Sequence, residues 1–276
     1  MSMNLNTFYQ LLWQDYVHMA PQAEKIHALF KADNTEVYND HVAFRTFNRA
    51  PINLARLEQH FFKLGYRRLE PYIFEEKKLY AWGYVHDDPK QPRIFLSELL
   101  VEQLSPAAQT IIDKLCRQID ESKVDTIDVF WSGLLWDMPT WDEYQTLLAE
   151  SEYAAWMAAI GMRVNHFTIS VDHLERPTTL AAVIDRVETA GFAINAAGGK
   201  IKGTPTQLLE QGSTLADRMP VTFGDGSTHS IPTCYYEFAK RYPTADGDLY
   251  QGFIAASADK IFESTNVNVA GVAAGS

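Results

Sequence analysis

Two stretches of the chain alternate between two faces with a period of two, which is the pattern of a β-strand. In residues 40–47, β-branched and aromatic side chains favour a strand, and the alternation places His41 and Arg45 on the same face. Residues 163–171 repeat the pattern around His166. An imidazole therefore stands on a predicted strand in each half of the chain, and in the first half a guanidinium shares its face.

Each predicted strand is followed by an amphipathic helical pattern that ends at a glycine. Apolar residues spaced three and four apart predict one helix over 54–64 and another over 180–187. Gly65 and Gly191 follow the two histidines by 24 and 25 residues, and glycine suits the left-handed position that closes a helix. The matching order of strand, histidine, helix and glycine indicates an internal repeat of a β-α-β unit.

The repeat divides the chain into modules and additions. A helical N-terminus precedes the first module, a helical insert separates the two modules, and a flexible tail follows them. A single domain is expected at 1–266, with modules at about 36–100 and 160–245, the insert at 105–158 and the tail at 267–276.

Further strands complete each module. They are predicted at 67–74, 79–86, 93–99, 214–223 and 233–242. A strand is also expected to restart directly after Gly191, as it does after Gly65. The glycine-rich segment 198–205 lacks the spacing of a phosphate-binding loop, and we expect a flexible loop near the functional site instead.

Composition narrows the function classes. The chain has 276 residues, of which 46% are hydrophobic and 21% charged, as in globular proteins. Its net charge of −11 argues against nucleic acid or an anionic membrane as a partner. No apolar run is long enough to span a bilayer, and no secretion signal is visible at the N-terminus. Two cysteines, Cys116 and Cys234, form no disulfide framework and suit a reducing cytoplasm.

The residues themselves suggest a metal site. His41 and His166 are joined by Glu237, a carboxylate flanked by aromatic residues on a predicted buried strand. Such a carboxylate is costly to bury unless it is paired or bound to a metal. Two imidazoles and one carboxylate are typical of Fe(II) sites that react with oxygen. Glu98, late in the first module, is an alternative carboxylate that spacing alone does not exclude.

Other histidines are secondary candidates. His86, His173 and His229 stand at predicted loop or strand ends, where a ligand role is less common than a structural one.

Several motifs together resemble one known family. They are Asp40-His41 with Arg45, the helix end Phe-x-x-Leu-Gly-Tyr, the loop Gly199–Gly203, Gln211 with Ser213, and Tyr236-Glu237. In combination they resemble the 2-oxoadipate dioxygenase/decarboxylase family, formerly a domain of unknown function. The resemblance implies an α+β, vicinal-oxygen-chelate-like fold, in which paired β-α-β-β-β modules form a curved mixed sheet around a metal.

The resemblance also implies an activity. By this resemblance the metal would be Fe(2+), its ligands would be His41, His166 and Glu237, and Arg45 would be the substrate-binding and catalytic arginine. A 2-oxo dicarboxylic acid such as 2-oxoadipate would react with dioxygen, lose CO2 and become a 2-hydroxy acid such as 2-hydroxyglutarate, within lysine degradation. The expected partners are thus a small 2-oxo acid and dioxygen, and the oligomeric state stays open.

Two other classes are compatible with the same residues. A glyoxalase-like isomerase or a metal-dependent hydrolase would use the paired modules with Zn(II) or Ni(II) and without oxygen. A metal-free binding module would retain no stoichiometric metal.

Overall fold

An eight-stranded mixed sheet and a separate two-stranded sheet organise the protein, whose computed structural model describes residues 4–266. The predicted tail at 267–276 lies outside these residues. The strands are, in chain order, β1 (Asn39–Phe47), β2 (Tyr66–Phe74), β3 (Leu79–His86), β4 (Arg93–Leu99), β5 (Val164–Ser170), β6 (Lys202–Thr204), β7 (Leu209–Ser213), β8 (Arg218–Thr222), β9 (Thr228–Pro232) and β10 (Tyr235–Arg241).

Helices precede, separate and follow the two halves of the large sheet, and one crossover helix lies within each half. Within the described residues they are α1 (Leu5–Met19), α2 (Pro21–Lys31), α3 (Leu54–Lys63), α4 (Pro106–Cys116), α5 (Glu121–Val124), α6 (Trp141–Leu148), α7 (Glu152–Ile160), α8 (Leu180–Thr189) and α9 (Ala255–Phe262). None of these helices is both long enough and apolar enough to cross a bilayer.

The large sheet is built from two equivalent halves. Its strand order is β2-β3-β4-β1-β5-β10-β7-β6. In the first half β1 and β4 run parallel, and in the second half β5 and β10 run parallel, while the outer neighbours are antiparallel. Strands β1 and β5 meet antiparallel at the centre, so an approximate twofold axis relates the halves. This confirms the predicted α+β, vicinal-oxygen-chelate-like fold of paired β-α-β-β-β modules.

The crossover helices α3 and α8 have matching ends. Asn53 caps α3 by accepting a hydrogen bond from a backbone N–H of the first turn, and Thr179 caps α8 in the same way. Gly65 and Gly191 follow the two helices with φ of +90° and +92°. Because this left-handed conformation strains residues with a Cβ, the repeated glycines are explained by the helix ends.

Helices cover the two faces of the sheet differently. On the face opposite His41, Phe44 packs on Phe61 of α3, and Phe167 packs on Trp13 of α1. On the face that carries His41, α9 contacts β2, β6 and β7 and closes the concave side. The functional side chains are therefore enclosed between the sheet and α9.

The second module departs from the prediction just after Gly191. No strand restarts there, and the chain forms only an isolated bridge at Ile194 before β6 begins at Lys202. The segment 198–205 is also not wholly a loop, because it contains β6. Gly198 and Gly199 turn the chain with positive φ, and the Lys202 ammonium donates to the Asn195 carbonyl, which fixes the short strand.

The strand predicted at 214–223 is confirmed only over its second half, and it lies outside the large sheet. β7 ends at Ser213 and β8 begins only at Arg218. Between them the backbone N–H groups of Thr214, Leu215 and Ala216 donate to carbonyls of three different segments. The chain thus leaves the large sheet at Thr214, and β8 and β9 form the separate two-stranded sheet.

Candidate metal centre

Three side chains from neighbouring central strands converge on one face of the sheet. His41 lies on β1, His166 on β5 and Glu237 on β10, and their ligating atoms all lie within 4.8 Å of one another. The two Nε2 atoms are 3.4 Å apart. Glu237 Oε1 is 3.6 Å from His41 Nε2, and Glu237 Oε2 is 3.1 Å from His166 Nε2. The structure therefore brings the three predicted ligands together in a buried position.

The strand registers produce this convergence. Thr168 on β5 is paired with His41 on the neighbouring strand β1 and with Glu237 on the other neighbouring strand, β10. Residues directly opposite each other share a face of the sheet. His166 stands two residues before Thr168, so the period of two places it on the same face.

Each imidazole is oriented by the residue that precedes it. His41 Nδ1 is 2.8 Å from Asp40 Oδ2, and His166 Nδ1 is 3.0 Å from Asn165 Oδ1. Both oxygens are acceptors, which assigns a proton to each Nδ1 and leaves the Nε2 lone pairs pointing into the site. Two lone pairs and a carboxylate then face one another, an arrangement that a cation would stabilise.

The charges of the site are those that a metal requires. Burial lowers the pKa of His166 below its usual value, which favours neutral imidazole. Burial raises the pKa of Glu237, but its interactions with His41 and His166 and the hydrogen bond from Gln211 outweigh burial and lower the pKa overall. Gln211 Nε2 donates to Glu237 Oε1 at 2.7 Å, whereas Oε2 has no hydrogen bond. The donor set fits a divalent cation.

Asp40 anchors His41 through a buried ionic network. Arg241 Nε and Nη2 donate to the two carboxylate oxygens of Asp40 at 2.7 and 2.9 Å, and Arg93 Nη1 lies 3.2 Å from Oδ1. Burial raises the pKa of Asp40, but Arg241 and Arg93 outweigh it and hold the pKa well below its usual range. The carboxylate that orients His41 is therefore ionised.

Arg45 lies four residues after His41 on the same face of β1 and is also buried. Its Nη2 donates to Thr265 Oγ1 at 3.3 Å, while Nε and Nη1 have no hydrogen-bond partner among the described residues. The rings of Tyr153 and Trp156 lie 5.0 and 4.9 Å from its Cζ. A buried guanidinium with two unpaired donors favours an anionic ligand.

Two cavities adjoin these groups. The cavity at the three ligands has a volume of about 20 Å³. Besides the ligands it is lined by Phe95, Gln211, Tyr235, Phe253, Ala258, Ile261 and Phe262. A second cavity, of about 210 Å³, is lined by Arg45 and by residues from the β2–β3 turn, the start of α7 and the end of α9. The first cavity is mostly apolar and the second is charged.

Glu98, the alternative carboxylate, lies outside the cluster. It stands on β4 three residues after Phe95, which lines the metal cavity, so its side chain points to the other face. There it accepts a hydrogen bond from the Leu54 N–H at the start of α3, at 2.9 Å. Its role is therefore to bind a helix terminus.

The secondary histidines also lie elsewhere. His86 Nδ1 accepts from the Asp88 N–H, and His173 Nδ1 lies 2.8 Å from the hydroxyl of Ser170. His229 stacks on Trp141 with ring centroids 3.6 Å apart. Within residues 4–266 these histidines belong to no group of three or more potential metal ligands.

The sequence analysis missed the residues that orient and cover the site. Asp40 and Asn165 each precede a ligand histidine, and this repeated pair was the signal for their role. Helix α9 and Phe253, which close the metal cavity, were not predicted, although the apolar spacing of Ala258 and Ile261 is helical.

Comparison with known proteins identifies relatives over most of the chain. A family model described as 2-oxoadipate dioxygenase/decarboxylase matches residues 6–250. A curated protein of Oryza sativa subsp. japonica, named 2-oxoadipate dioxygenase/decarboxylase, chloroplastic/amyloplastic, is 38% identical over 275 residues. That match covers 91% of this chain and 76% of the rice protein.

Two crystal structures resemble the whole arrangement. Hydroxyglutarate synthase from Oryza sativa in complex with 2-oxoadipate superposes with a TM-score of 0.89 and 36% identity, over 94% of this chain and 91% of that chain. A protein from Shewanella frigidimarina NCIMB 400 superposes with a TM-score of 0.88 and 47% identity, over 92% and 99% of the two chains. Both similarities therefore extend across the two modules.

Proposed function

The chain belongs to the 2-oxoadipate dioxygenase/decarboxylase family, and we propose that it is an Fe(II)-dependent oxygenase acting on a 2-oxo dicarboxylic acid resembling 2-oxoadipate. The products are CO2 and a 2-hydroxy acid shortened by one carbon, resembling 2-hydroxyglutarate. His41, His166 and Glu237 hold the metal, and Arg45 binds the substrate.

The observation that carries this proposal is the donor set. Two Nε2 atoms and one carboxylate lie on one side of the site, within 4.8 Å of one another. On an octahedral ion, such a set leaves roughly three adjacent positions open, as in the non-haem Fe(II) oxygenases. The apolar wall formed by residues such as Phe95 and Phe253 provides a dry space for a small apolar molecule such as dioxygen.

His41, His166 and Glu237 would hold an Fe(II) ion, which would supply Lewis acidity toward a 2-oxo acid and redox chemistry toward dioxygen. The chain's own contribution is orientation. Arg45 is about 13 Å from His41 between Cα atoms along β1, and its unpaired donors would bind the far carboxylate of the substrate. The hydroxyl of Tyr235, buried without a partner in the wall of the metal cavity, would donate to a bound oxygen.

The substrate class is supported by a relative. The rice structure at 36% identity is described as a complex with 2-oxoadipate. A six-carbon 2-oxo diacid offers one carboxylate with a neighbouring keto group for the metal and a second carboxylate for Arg45. The keto acid end of 2-oxoadipate would thus bind at the metal, and its second carboxylate would bind Arg45 on the same face of β1.

The lining of the metal cavity argues against the non-oxidative alternatives. Unless a metal ligand or a metal-bound water is the base, an isomerase or a hydrolase needs a further acid–base group beside the reacting atoms. Apart from the three ligands, the described wall offers only Gln211 and Tyr235 as polar side chains, and burial raises the pKa of Tyr235 well above its usual value. Neither group is suited to remove a proton near neutral pH.

Oxygen dependence tests the proposal. Iron-loaded protein is incubated with 2-oxoadipate under labelled dioxygen, and CO2, oxygen uptake and label in the product are measured. The balance requires one dioxygen per CO2, with one oxygen atom in the new carboxylate and the other in the hydroxyl. Turnover that continues without dioxygen, or with Zn(II) or Ni(II) in place of iron, would support the isomerase or hydrolase and eliminate the oxygenase.

We also propose a cytoplasmic location, although the rice relative is named as chloroplastic or amyloplastic. Cys116 and Cys234 are separate buried thiols, as expected in a reducing compartment. Cell fractionation with an antibody against the protein tests the location.

A further inference from the structure

We propose that Phe262 is a gate between the substrate cavity at Arg45 and the metal cavity, and that a 2-oxo acid must displace its ring to occupy both. The proposal deepens the proposed function and rests on it, because it assumes a metal at the three ligands.

The metal cavity is too small for the substrate. Its volume of about 20 Å³ exceeds only slightly the roughly 10–15 Å³ that one water molecule requires. A six-carbon diacid does not fit into that space. The neighbouring cavity at Arg45, of about 210 Å³, is an order of magnitude larger. A ligand that touches both the metal and Arg45 therefore needs a connection that is closed in this structure.

Phe262 occupies the position of that connection. Among the described residues it is the one that lines both the metal cavity and the Arg45 cavity. Its ring centroid lies 5.6 Å from Cζ of Arg45, and its other side packs edge-on against Phe74, with centroids 5.4 Å apart. The ring of Phe262 therefore stands in the wall that the two cavities share.

The chain that follows the ring is firmly attached. Ser264 accepts a hydrogen bond from Asn195 Nδ2 at 2.9 Å, and its hydroxyl lies 2.9 Å from that of Ser213. Glu263 pairs with Lys77 on the β2–β3 turn at 2.6 Å. The segment is therefore tied to both modules just beyond Phe262, which limits the opening motion to the ring and to α9 before it.

A second possible entrance is blocked by groups that are harder to move. A cavity of about 550 Å³ lies beside Asp40, Arg93 and Arg241. The ion pair of Asp40 and Arg241, with both side chains about 1% exposed, belongs to the wall between this cavity and His41. Opening there would separate buried charges, whereas rotating Phe262 moves only an apolar ring.

Metal release and substrate association test the gate directly. The probes are Co²⁺, whose visible absorption reports its coordination, the chelator EDTA and 2-oxoadipate, all without dioxygen. Phe262→Leu removes the ring while keeping an apolar side chain, and Phe262→Met is a second variant if the first is unstable. Phe223→Leu is the matched control, because it removes a buried ring that packs on Trp141 and Tyr144 and lines neither cavity.

We expect Phe262→Leu to release Co²⁺ to EDTA and to bind 2-oxoadipate about tenfold faster than the wild type, with unchanged affinity for Co²⁺. Phe223→Leu should stay within about twofold of the wild type. Equal rates in all proteins, or equal acceleration by Phe223→Leu, would overturn the gate and leave the metal centre intact. A wild-type protein that binds no Co²⁺ would overturn the proposed metal centre and the gate with it.

Discussion

Phe95 and Glu237 occupy equivalent positions in the two modules. Phe95 pairs with Ala43 on β1, and Glu237 pairs with Thr168 on β5. Ala43 and Thr168 each stand two residues after a ligand histidine, so the approximate twofold axis maps one pair onto the other. The first module therefore contributes an imidazole and an apolar wall, whereas the second contributes an imidazole and the carboxylate.

The carboxylate ligand can be tested against its alternative. We expect Glu237→Gln to weaken metal binding by more than about 100-fold, because the amide keeps the shape but loses the charge. Glu98→Gln should leave metal affinity unchanged, since Glu98 binds the start of α3. Competition with a chromogenic chelator measures both affinities, and a large loss in Glu98→Gln would contradict the assignment.

Arg45 should act on the substrate and not on the metal. In Arg45→Met the dissociation constant of 2-oxoadipate should rise by about 100-fold, because the far carboxylate loses a buried charge-assisted partner. Affinity for the metal should remain within a few-fold of the wild type, because no ligating atom is removed. Titration calorimetry without dioxygen measures both, and loss of the metal would show that the role of Arg45 is misassigned.

The pair of Asp40 and Arg241 should contribute strongly to stability. Asp40→Asn leaves a guanidinium buried without its counter-charge, and we expect the free energy of unfolding to fall by about 3–5 kcal/mol. The double variant Asp40→Asn/Arg241→Met should recover part of this loss, because the unpaired charge is gone. Urea unfolding measures the three proteins, and equal stabilities of the wild type and Asp40→Asn would contradict the prediction.

Lys202 should make the free energy of unfolding depend on pH in the alkaline range. Burial lowers its pKa from 10.5 to about 8, while its ammonium donates to the Asn195 carbonyl at 2.6 Å. Between these two values the unfolded chain binds the proton and the folded protein does not. The free energy of unfolding should therefore gain up to about 1.4 kcal/mol per pH unit from this group as pH rises through that window.

The matched variant for this prediction is Lys202→Met, which keeps an unbranched side chain without a charge. Subtracting its free energy of unfolding from that of the wild type at pH 7.5, 9 and 10, by urea unfolding, isolates the contribution of Lys202 from other alkaline titrations. If the difference is constant with pH, burial does not lower the pKa of Lys202.

The first module could be predicted closely from the sequence because its signals are local. The strands β3 and β4 have the predicted bounds, and α3 begins at a capping Asn53 and is closed by Gly65. In the second module the segment after Gly191 lacks such signals. Its course depends on distant partners, such as the Lys260 carbonyl that accepts from Asn195 Nδ2 at 3.0 Å, and these are not visible in a local pattern.

The site was predictable to the extent that it follows from strand periodicity. Alternation along β1 places His41 and Arg45 on one face, and the repeat identifies His166. The choice between Glu237 and Glu98 depends on which strands are neighbours and in which register, and that is set by pairing across the whole sheet. The covering helix α9 was missed for the same reason, because its apolar residues indicate a helix but not its location.

The approximate twofold axis through the site has a consequence for how such a centre can be assembled. Two identical half-length chains joined along the same central strand would each donate the same groups, so they would present either two carboxylates or none. A centre with an odd number of protein donors requires halves that have diverged in sequence. Because the halves are linked in one polypeptide, every molecule contains one half with the carboxylate and one half without it.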